Sequence, residues 1–224
     1  MMILIFISFS ILLSSYAAEF SKFSFPPSNA TKFPRLRPVD TFPSLREFTF
    51  CSRVRPVSAD KNRHFTILSY ATARSNSEIV INVKFGVSKV TTVHIYLKTS
   101  DKELPCSGFK DMGIWNSICI SWFGPNGRIQ ARINDEFCSI NLAADEYTEA
   151  GGAFIIGQKQ DVMDSEFDLN QSWEGDIADI HLWNEAFNLV NPIKDDRYYG
   201  MGRAGNVISL KYGSFIVFDG VIIS

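Results

Sequence analysis

The chain has 224 residues, of which 46% are hydrophobic and 21% are charged, and this is the composition of an ordinary globular protein. Its 22 basic and 24 acidic residues give a formal net charge of −2. Proteins that bind nucleic acid rely on clustered Lys and Arg against the phosphates, so this balance argues against a nucleic-acid partner. The composition also argues against long disordered tracts.

The N-terminal segment is apolar and ends at small residues. Residues 1–13 are almost entirely apolar, and Ser15 and Ala17 fit the −3 and −1 positions of a signal-peptide cleavage site. We expect residues 1–17 to be a signal peptide and residues 18–224 to form a single secreted domain; the alternative is a buried N-terminal strand. No later stretch reaches the ~18 uninterrupted apolar residues that a membrane-spanning helix needs, so no transmembrane segment is predicted.

If the protein is secreted, its four cysteines are expected to form disulfides and two asparagines are candidate glycan acceptors. The cysteines are Cys51, Cys106, Cys119 and Cys138, and their spacing matches no zinc motif. In an oxidising compartment they are predicted to form two disulfides, for which three pairings exist. Two Asn-X-Ser/Thr triplets predict glycan acceptors at Asn29 and Asn170.

Alternating apolar and polar residues predict half-buried β-strands through the middle of the chain. The clearest segments are 78–85, 93–98 and 128–133, and Gly124-Pro-Asn-Gly127 separates the last of them from 118–122. Because Asn-Gly favours the positive φ angles of tight turns, we expect these last two strands to form a hairpin. Many short strands between turns predict an all-β fold, an antiparallel two-sheet sandwich.

Little helical periodicity is present, and it predicts one short helix near the C-terminus. Asn191 is a suitable N-cap, Pro192 fits the first helical position, and Gly200 can end the helix. The proline-containing stretch 25–34 is expected to form an irregular arm.

No catalytic motif stands out in the sequence. His64, His94 and His181 have no Ser, Cys or metal-ligand partner at a recognisable spacing, so each is interpreted as structural or solvated. The acidic run Asp161–Asp168 offers carboxylates two residues apart, which would share one face of a strand as a glycosidase pair, and it is equally typical of a solvated loop. We expect the protein not to be an enzyme, with glycoside hydrolysis as the alternative.

Several segments resemble the pentraxin family. Ser117-Ile-Cys-Ile-Ser-Trp122 is similar to the pentraxin signature His-X-Cys-X-Ser/Thr-Trp-X-Ser/Thr. Two positions depart from it: Ser117 replaces the His, and Phe123-Gly124 follow where a hydroxyl residue is expected. Further similar segments follow the family's order along the chain: Phe48–Cys51, Ser69–Thr72, Gly157–Asp161, Gln171–Asp176 and Leu182–Asn184. The N-terminal arm, the extra cysteine pair and the C-terminal Phe218–Val221 are most similar to the arthropod C-reactive proteins of that family.

The resemblance implies a fold, a disulfide pattern and a function. The implied fold is a concanavalin-like jelly-roll sandwich with disulfides Cys51–Cys119 and Cys106–Cys138. The implied function is secreted pattern recognition, in which a cyclic ring of pentraxin subunits binds microbial glycans or phosphorylated headgroups through calcium. Repetition of weak sites around a ring would give avidity. The alternative is a non-binding scaffold subunit that joins rings of calcium-competent relatives.

The resemblance also places the family's calcium ligands on residues that have partly changed. They fall on Asn76, Ser77, Gln160, Asp161, Asp168 and Gln171, and Lys159 replaces the acid that bridges two ions. Calcium prefers about six to eight oxygen ligands and is repelled by an ammonium group, so the implied calcium binding is weakened or lost. Lys159 can swing outward on its flexible side chain and Asp164 or Glu166 can substitute as ligands, which would leave weak residual binding.

Two further expectations concern the same surface. Lys159 can pair with Asp161 or Asp168 as a built-in cation in place of the metal. The aromatic position that receives choline methyl groups in the family falls on Asn82, and an amide is a poor wall for methyl groups.

Overall fold

The structure is a computed structural model that describes residues 22–58, 63–85, 91–98, 100–190, 204–209 and 215–224. The helix expected at 191–200 lies outside the described residues. Within the described ranges, no helix has the length and hydrophobicity that crossing a lipid bilayer would require. These ranges form β-strands joined by turns, loops and one 3₁₀ turn, Gly124–Asn126.

The strands, in chain order, are β1 (Lys22–Phe25), β2 (Arg35–Pro38), β3 (Glu47–Pro56), β4 (His64–Ala71), β5 (Ile79–Phe85), β6 (Thr91–Leu97), β7 (Ser100–Leu104), β8 (Asn116–Phe123), β9 (Arg128–Ile133), β10 (Glu136–Asn141), β11 (Ala153–Ile156), β12 (Gln158–Val162), β13 (Ser165–Ser172), β14 (Gly175–Trp183), β15 (Ile208–Ser209), β16 (Phe215–Phe218) and β17 (Ile222–Ile223).

Two large antiparallel sheets form a jelly-roll sandwich, which confirms the expected fold class. One sheet has the strand order β10-β9-β8-β3-β14-β1-β17, with β15 paired to β14. The other has the order β16-β2-β11-β4-β5-β6-β7. A separate hairpin, formed by β12 and β13 and called the ribbon below, carries most of the residues that the sequence placed in the calcium site.

The core lies between the two large sheets, because each strand directs alternate side chains toward the opposite sheet. On β6 the apolar Val93, Ile95 and Leu97 are buried and the intervening side chains are partly exposed, as predicted. One continuous apolar cluster includes Phe48 and Trp122 of one sheet and Phe65 of the other. These aromatic side chains are fully buried and therefore contribute strongly to stability.

β9 differs from the prediction because both of its faces are covered. Gln130 and Arg132 on the outer face are buried as well as the apolar positions. The Arg132 guanidinium donates hydrogen bonds to the carbonyl oxygens of Leu189 and Val190, and the Gln130 side-chain oxygen accepts one from the amide of Leu189. The segment that follows β14 therefore covers this face. β5 departs from the prediction in the same way, since Val80 and Asn82 are buried too.

The predicted hairpin between β8 and β9 is confirmed, with a different turn. Trp122 lies opposite Ile129 in the ladder, and the connection is the 3₁₀ turn rather than a two-residue Asn-Gly turn. Gly127 has φ +69°, whereas Asn126 does not have a positive φ. A Cβ at Gly127 would lie 2.3 Å from the Leu142 carbonyl oxygen, so this position needs glycine.

Both disulfides that the resemblance implies are present. Cys51 and Cys119 lie directly opposite each other on β3 and β8, with Cα atoms 4.1 Å apart. Cys106, which follows β7, is bonded to Cys138 on β10, and their Cα atoms are 5.5 Å apart. The second bond therefore links β10, an edge strand of one large sheet, to the segment that follows β7, an edge strand of the other.

Candidate functional site

The ribbon is held on β4 by buried glutamines. The side-chain nitrogen of Gln160 donates to the hydroxyl and carbonyl oxygens of Ser69 on β4, at 3.0 and 3.3 Å. The hydroxyl of Ser69 donates in turn to the carbonyl oxygen of Gln158, at 2.8 Å. Both glutamines are fully buried. Because side chains alternate along a strand, this anchoring directs Lys159 and Asp161 toward the opposite, outer face of the ribbon.

On that outer face, the ammonium group of Lys159 forms an ion pair with the carboxylate of Asp161. The Lys159 side chain is 15% exposed and the Asp161 side chain is 41% exposed. Of the two partners that the sequence allowed for Lys159, the structure places Asp161 against it. The cation therefore lies beside a carboxylate that the family resemblance assigns to calcium.

A second ion pair holds the turn of the ribbon on the sheet that contains β2. Asp164 lies in this turn with φ +61°, and its carboxylate pairs with the guanidinium of Arg37 on β2. Its backbone amide donates to the side-chain oxygen of Gln160 at 2.7 Å. The amide group of Gln160 thus joins the turn to β4, and the turn has a fixed position over the sheet.

The carboxylate of Asp168 accepts two hydrogen bonds within the ribbon. One of its carboxylate oxygens accepts a hydrogen bond from the backbone amide of Asn170 at 2.9 Å, and the other accepts one from the side-chain amide of Gln171 at 3.3 Å. The acidic run therefore bends back on itself: Asp161 lies on β12, Asp164 in the turn and Asp168 on β13. The turn divides the run between two strands, and of its carboxylates only Glu166 and Asp168 lie two residues apart on one strand, β13.

Asn76 and Ser77 lie in the turn between β4 and β5, on or near the surface. The Ser77 hydroxyl donates to the side-chain oxygen of Asn76 at 3.1 Å. In the part of the chain that the structure describes, no hydrogen bond or ion pair joins either residue to the ribbon. Nor do three or more His, Cys, Asp or Glu side chains of that part form a group arranged to hold a metal ion.

Sequence reasoning missed a row of polar residues on the sheet that contains β4, β5 and β6. Thr66, Asn82 and His94 lie side by side on β4, β5 and β6. Among the described residues, the Thr66 hydroxyl, the Asn82 side-chain oxygen and Nδ1 of His94 are buried without a hydrogen-bond partner. The signal available in the sequence was that Asn82 and His94 alternate with the apolar Ile81 and Ile95. Asn82 is only 1% exposed, so it does not present an open wall to a ligand.

The three histidines are partly buried; the ring centroids of His64 and His94 lie 6.0 Å apart, and His181 is on the other large sheet. Burial lowers the pKa of His64, and the charges of Lys84 and His94 lower it further. Burial also lowers the pKa of His181, whose Nδ1 accepts a hydrogen bond from the amide of Gly205 at 3.3 Å. A ring nitrogen of His94 lies 3.1 Å from the Thr92 hydroxyl. Among the described residues, no histidine is hydrogen-bonded to a Ser or Cys side chain.

The two predicted glycan acceptors are exposed. The side-chain oxygen of Asn29 accepts hydrogen bonds from the amides of Thr31 and Lys32 in a local turn, both at 3.0 Å. Asn170 lies on the outer strand of the ribbon, next to the Asp168 carboxylate. A glycan on Asn170 would therefore project from the ribbon itself.

Comparisons with known proteins agree with this architecture. C-reactive protein 1.1 from Limulus polyphemus is 28% identical over 91% of this chain and 85% of its own length, and C-reactive protein 1.4 of that species is 30% identical over the same shares. A native heptameric SAP-like pentraxin from Limulus polyphemus superposes with a TM-score of 0.81 at 28% identity, over 92% of this chain and 94% of its own. The model of the Pentaxin family matches residues 21–224. The chain therefore belongs to the pentraxin family.

Proposed function

We propose that this protein is a secreted pattern-recognition pentraxin that binds glycan or phosphorylated headgroups with weak or no dependence on calcium. In this proposal, residues 1–17 are a signal peptide and residues 18–224 are the secreted domain. Pentraxins are generally recognition proteins rather than enzymes. The family membership supports recognition as the broad function, and the ribbon supports the altered calcium dependence.

The observation that carries the proposal is the pairing of ribbon carboxylates with cations of the chain itself. Lys159 is bound to Asp161 and Arg37 is bound to Asp164. A calcium ion needs about six to eight oxygen ligands, several of them charged, and an adjacent ammonium group repels it. Lys159 already lies beside Asp161, one of the two carboxylates of the donor set, and Arg37 lies beside Asp164, a substitute ligand, which supports weak or absent calcium binding. The ribbon is instead ordered by ion pairs and by the buried Gln160.

Oligomerisation is the second part of the proposal. The similar Limulus pentraxin is heptameric, and we propose that this chain also assembles with pentraxin subunits into a ring. Linked weak sites bind a patterned surface far more tightly than a single site, because later contacts are effectively intramolecular. A ring therefore compensates for the weaker single-site binding that loss of calcium would cause.

Calcium titration by isothermal calorimetry tests the calcium part of the proposal. We expect no submillimolar binding heat from the wild type and measurable heat from Lys159→Glu, which restores an oxygen ligand and removes the repelling charge. Lys102→Glu, at an exposed position on β7, is the matched control and should resemble the wild type. Submillimolar binding by the wild type would contradict the proposal.

Retention on a ligand matrix separates recognition from the scaffold alternative. Wild-type protein is passed over immobilised glycan and over immobilised phosphoethanolamine in the presence of EDTA. Retention on either matrix is the result expected of a recognition protein. A chain that assembles with other subunits yet is retained by neither matrix, with or without calcium, would instead be a scaffold subunit.

A further inference from the structure

We propose that a cavity beside the turn of the ribbon binds one neutral sugar ring of a glycan without calcium. The inference rests on the proposed recognition function and deepens it, because it assigns a position and a ligand class. The cavity lies between three segments: residues 37–41 at the end of β2, residues 151–154 at the start of β11, and the ribbon turn 163–164. Of the residues considered for calcium, only the substitute ligand Asp164 lines it.

The size of the cavity sets the size of the ligand. Its volume is about 220 Å³. Pockets for drug-sized ligands measure about 300–1,000 Å³, so this one matches a single small ring rather than an oligosaccharide. Gly151 contributes to the opening, since a Cβ placed there would have no neighbour within 4 Å. The rest of a glycan chain can therefore continue into solvent from a ring held in the cavity.

The walls combine apolar surface with unused polar groups. Val39 and Met163 are large apolar side chains that remain 60% and 39% exposed, and the buried Phe154 also lines the cavity. A pyranose ring has a face of C–H groups that suits such a wall, because contact removes apolar surface from water. Its hydroxyl groups, which are both donors and acceptors, then point to the rim of the cavity.

The polar rim supplies partners for those hydroxyl groups. The guanidinium of Arg37 has five N–H donors, and among the described residues only Asp164 accepts from it. The carboxylate of Asp40 and the hydroxyl of Thr41 have no hydrogen-bond partner within the described part of the chain. A carboxylate and a guanidinium at one rim can accept from one sugar hydroxyl and donate to the next.

The charge of the rim favours one of the two ligand classes of the proposed function, glycans, over the other, phosphorylated headgroups. Arg37 contributes +1, and Asp40 and Asp164 contribute −1 each, so the ionised side chains lining the cavity sum to −1. Arg37 is already paired with Asp164, and the remaining formal charge is the carboxylate of Asp40. The phosphate of a phosphorylated headgroup would be repelled by that carboxylate, whereas a neutral sugar would hydrogen-bond to it.

Saturation-transfer NMR and calorimetric titration in EDTA test the proposal, with methyl glycosides of mannose, galactose and N-acetylglucosamine and with phosphoethanolamine as probes. Val39→Trp fills the mouth of the cavity from an exposed position, and Asp40→Asn removes the charged acceptor. Val57→Trp and Asp111→Asn change exposed residues outside the cavity and are the matched controls. Thermal unfolding confirms that each variant is folded.

We expect at least one glycoside to bind the wild type, with affinity reduced at least tenfold by Val39→Trp and about tenfold by Asp40→Asn, which removes one charged hydrogen bond. The controls should bind as the wild type does. Equal glycoside binding by the wild type and Val39→Trp would overturn the assignment of sugar binding to the cavity and would leave the proposed recognition function intact. Binding of phosphoethanolamine alone overturns the neutral-sugar assignment. Binding of no probe, with no retention on the ligand matrices, overturns both proposals.

Discussion

The ammonium group of Lys159 is paired with the carboxylate of Asp161, two residues further along β12 and on the same face of the ribbon. The other face of β12 is fixed by Gln160, which is fully buried against β4. The ribbon therefore has a buried, amide-bonded side and an outer side on which Lys159 and Asp161 form an ion pair. This relationship gives the first prediction.

We expect the Lys159–Asp161 pair to contribute little to stability, under about 1 kcal/mol, because Asp161 is partly exposed and solvent screens the charges. A double-mutant cycle of Lys159→Gln and Asp161→Asn, measured by urea unfolding, gives the coupling energy. The coupling should fall toward zero in about 1 M salt, where the screening length is only about 3 Å. A coupling above 2 kcal/mol that salt does not change would contradict this view of the pair.

Much of the ribbon chemistry was readable from the sequence, and its anchoring was not. The two disulfides and the jelly-roll followed from the resemblance, and the sequence allowed Lys159 to pair with Asp161 or Asp168. The bond between Arg37 and Asp164 joins residues 127 positions apart, so only the packing of the ribbon over β2 reveals it. Coverage of β9 likewise depends on where the segment after β14 returns, and strand alternation does not contain that information.

A second prediction concerns the hydroxyl of Thr66, which has no hydrogen-bond partner among the described residues although Thr66 is fully buried. A buried polar group without a partner is destabilising, so Thr66→Val, which keeps the shape, should raise the free energy of unfolding by about 1 kcal/mol. Urea or thermal unfolding measures the change. A loss of more than 1 kcal/mol would show that the hydroxyl is satisfied.

Thr49 is the matched control for this substitution. It is also fully buried, but its hydroxyl donates to the Glu185 carbonyl oxygen at 2.7 Å and accepts from the Phe187 amide at 2.9 Å. Thr49→Val leaves both partners unsatisfied and should lower stability by about 1–3 kcal/mol. The two valine variants are therefore expected to have opposite signs, which a general effect of Thr→Val would not produce.

The disulfides give a third prediction. Cys51–Cys119 closes a loop of 68 residues and Cys106–Cys138 a loop of 32. Loop entropy in the unfolded chain gives about 4 kcal/mol for each bond, with the first larger by about 0.7 kcal/mol. Paired Cys→Ala variants, compared by urea unfolding, should be destabilised in that order. A nearly neutral Cys51→Ala/Cys119→Ala variant would contradict the expectation.

The fourth prediction is a loss of stability on mild acidification. Burial lowers the pKa of His181 in the folded protein, so the unfolded chain binds its proton more readily. The free energy of unfolding should therefore fall as the pH drops through about 6.5, the ordinary histidine value, and continue to fall until the folded-state pKa is passed. Nearby Asp179 opposes the shift without reversing it.

Asp176 titrates outside this pH window. Burial alone would raise its pKa, but hydrogen bonds from Ser24 and Arg55 and the charges of Arg55 and Lys22 lower it overall. Its contribution to stability is therefore retained until the pH falls below about 3.9, its unfolded-state value. Measurements between pH 7 and pH 5 consequently report on histidines rather than on this carboxylate.

His181→Gln identifies the residue responsible, because glutamine retains an acceptor for the Gly205 amide and does not titrate. Urea unfolding at pH 7 and pH 5 should show a smaller loss of stability for this variant than for the wild type. His64, whose pKa is also lowered by burial, should behave in the same way, so the double variant is expected to be the least sensitive to pH. An undiminished acid effect in the double variant would place the responsible proton elsewhere, and a gain of wild-type stability at pH 5 would reverse the sign.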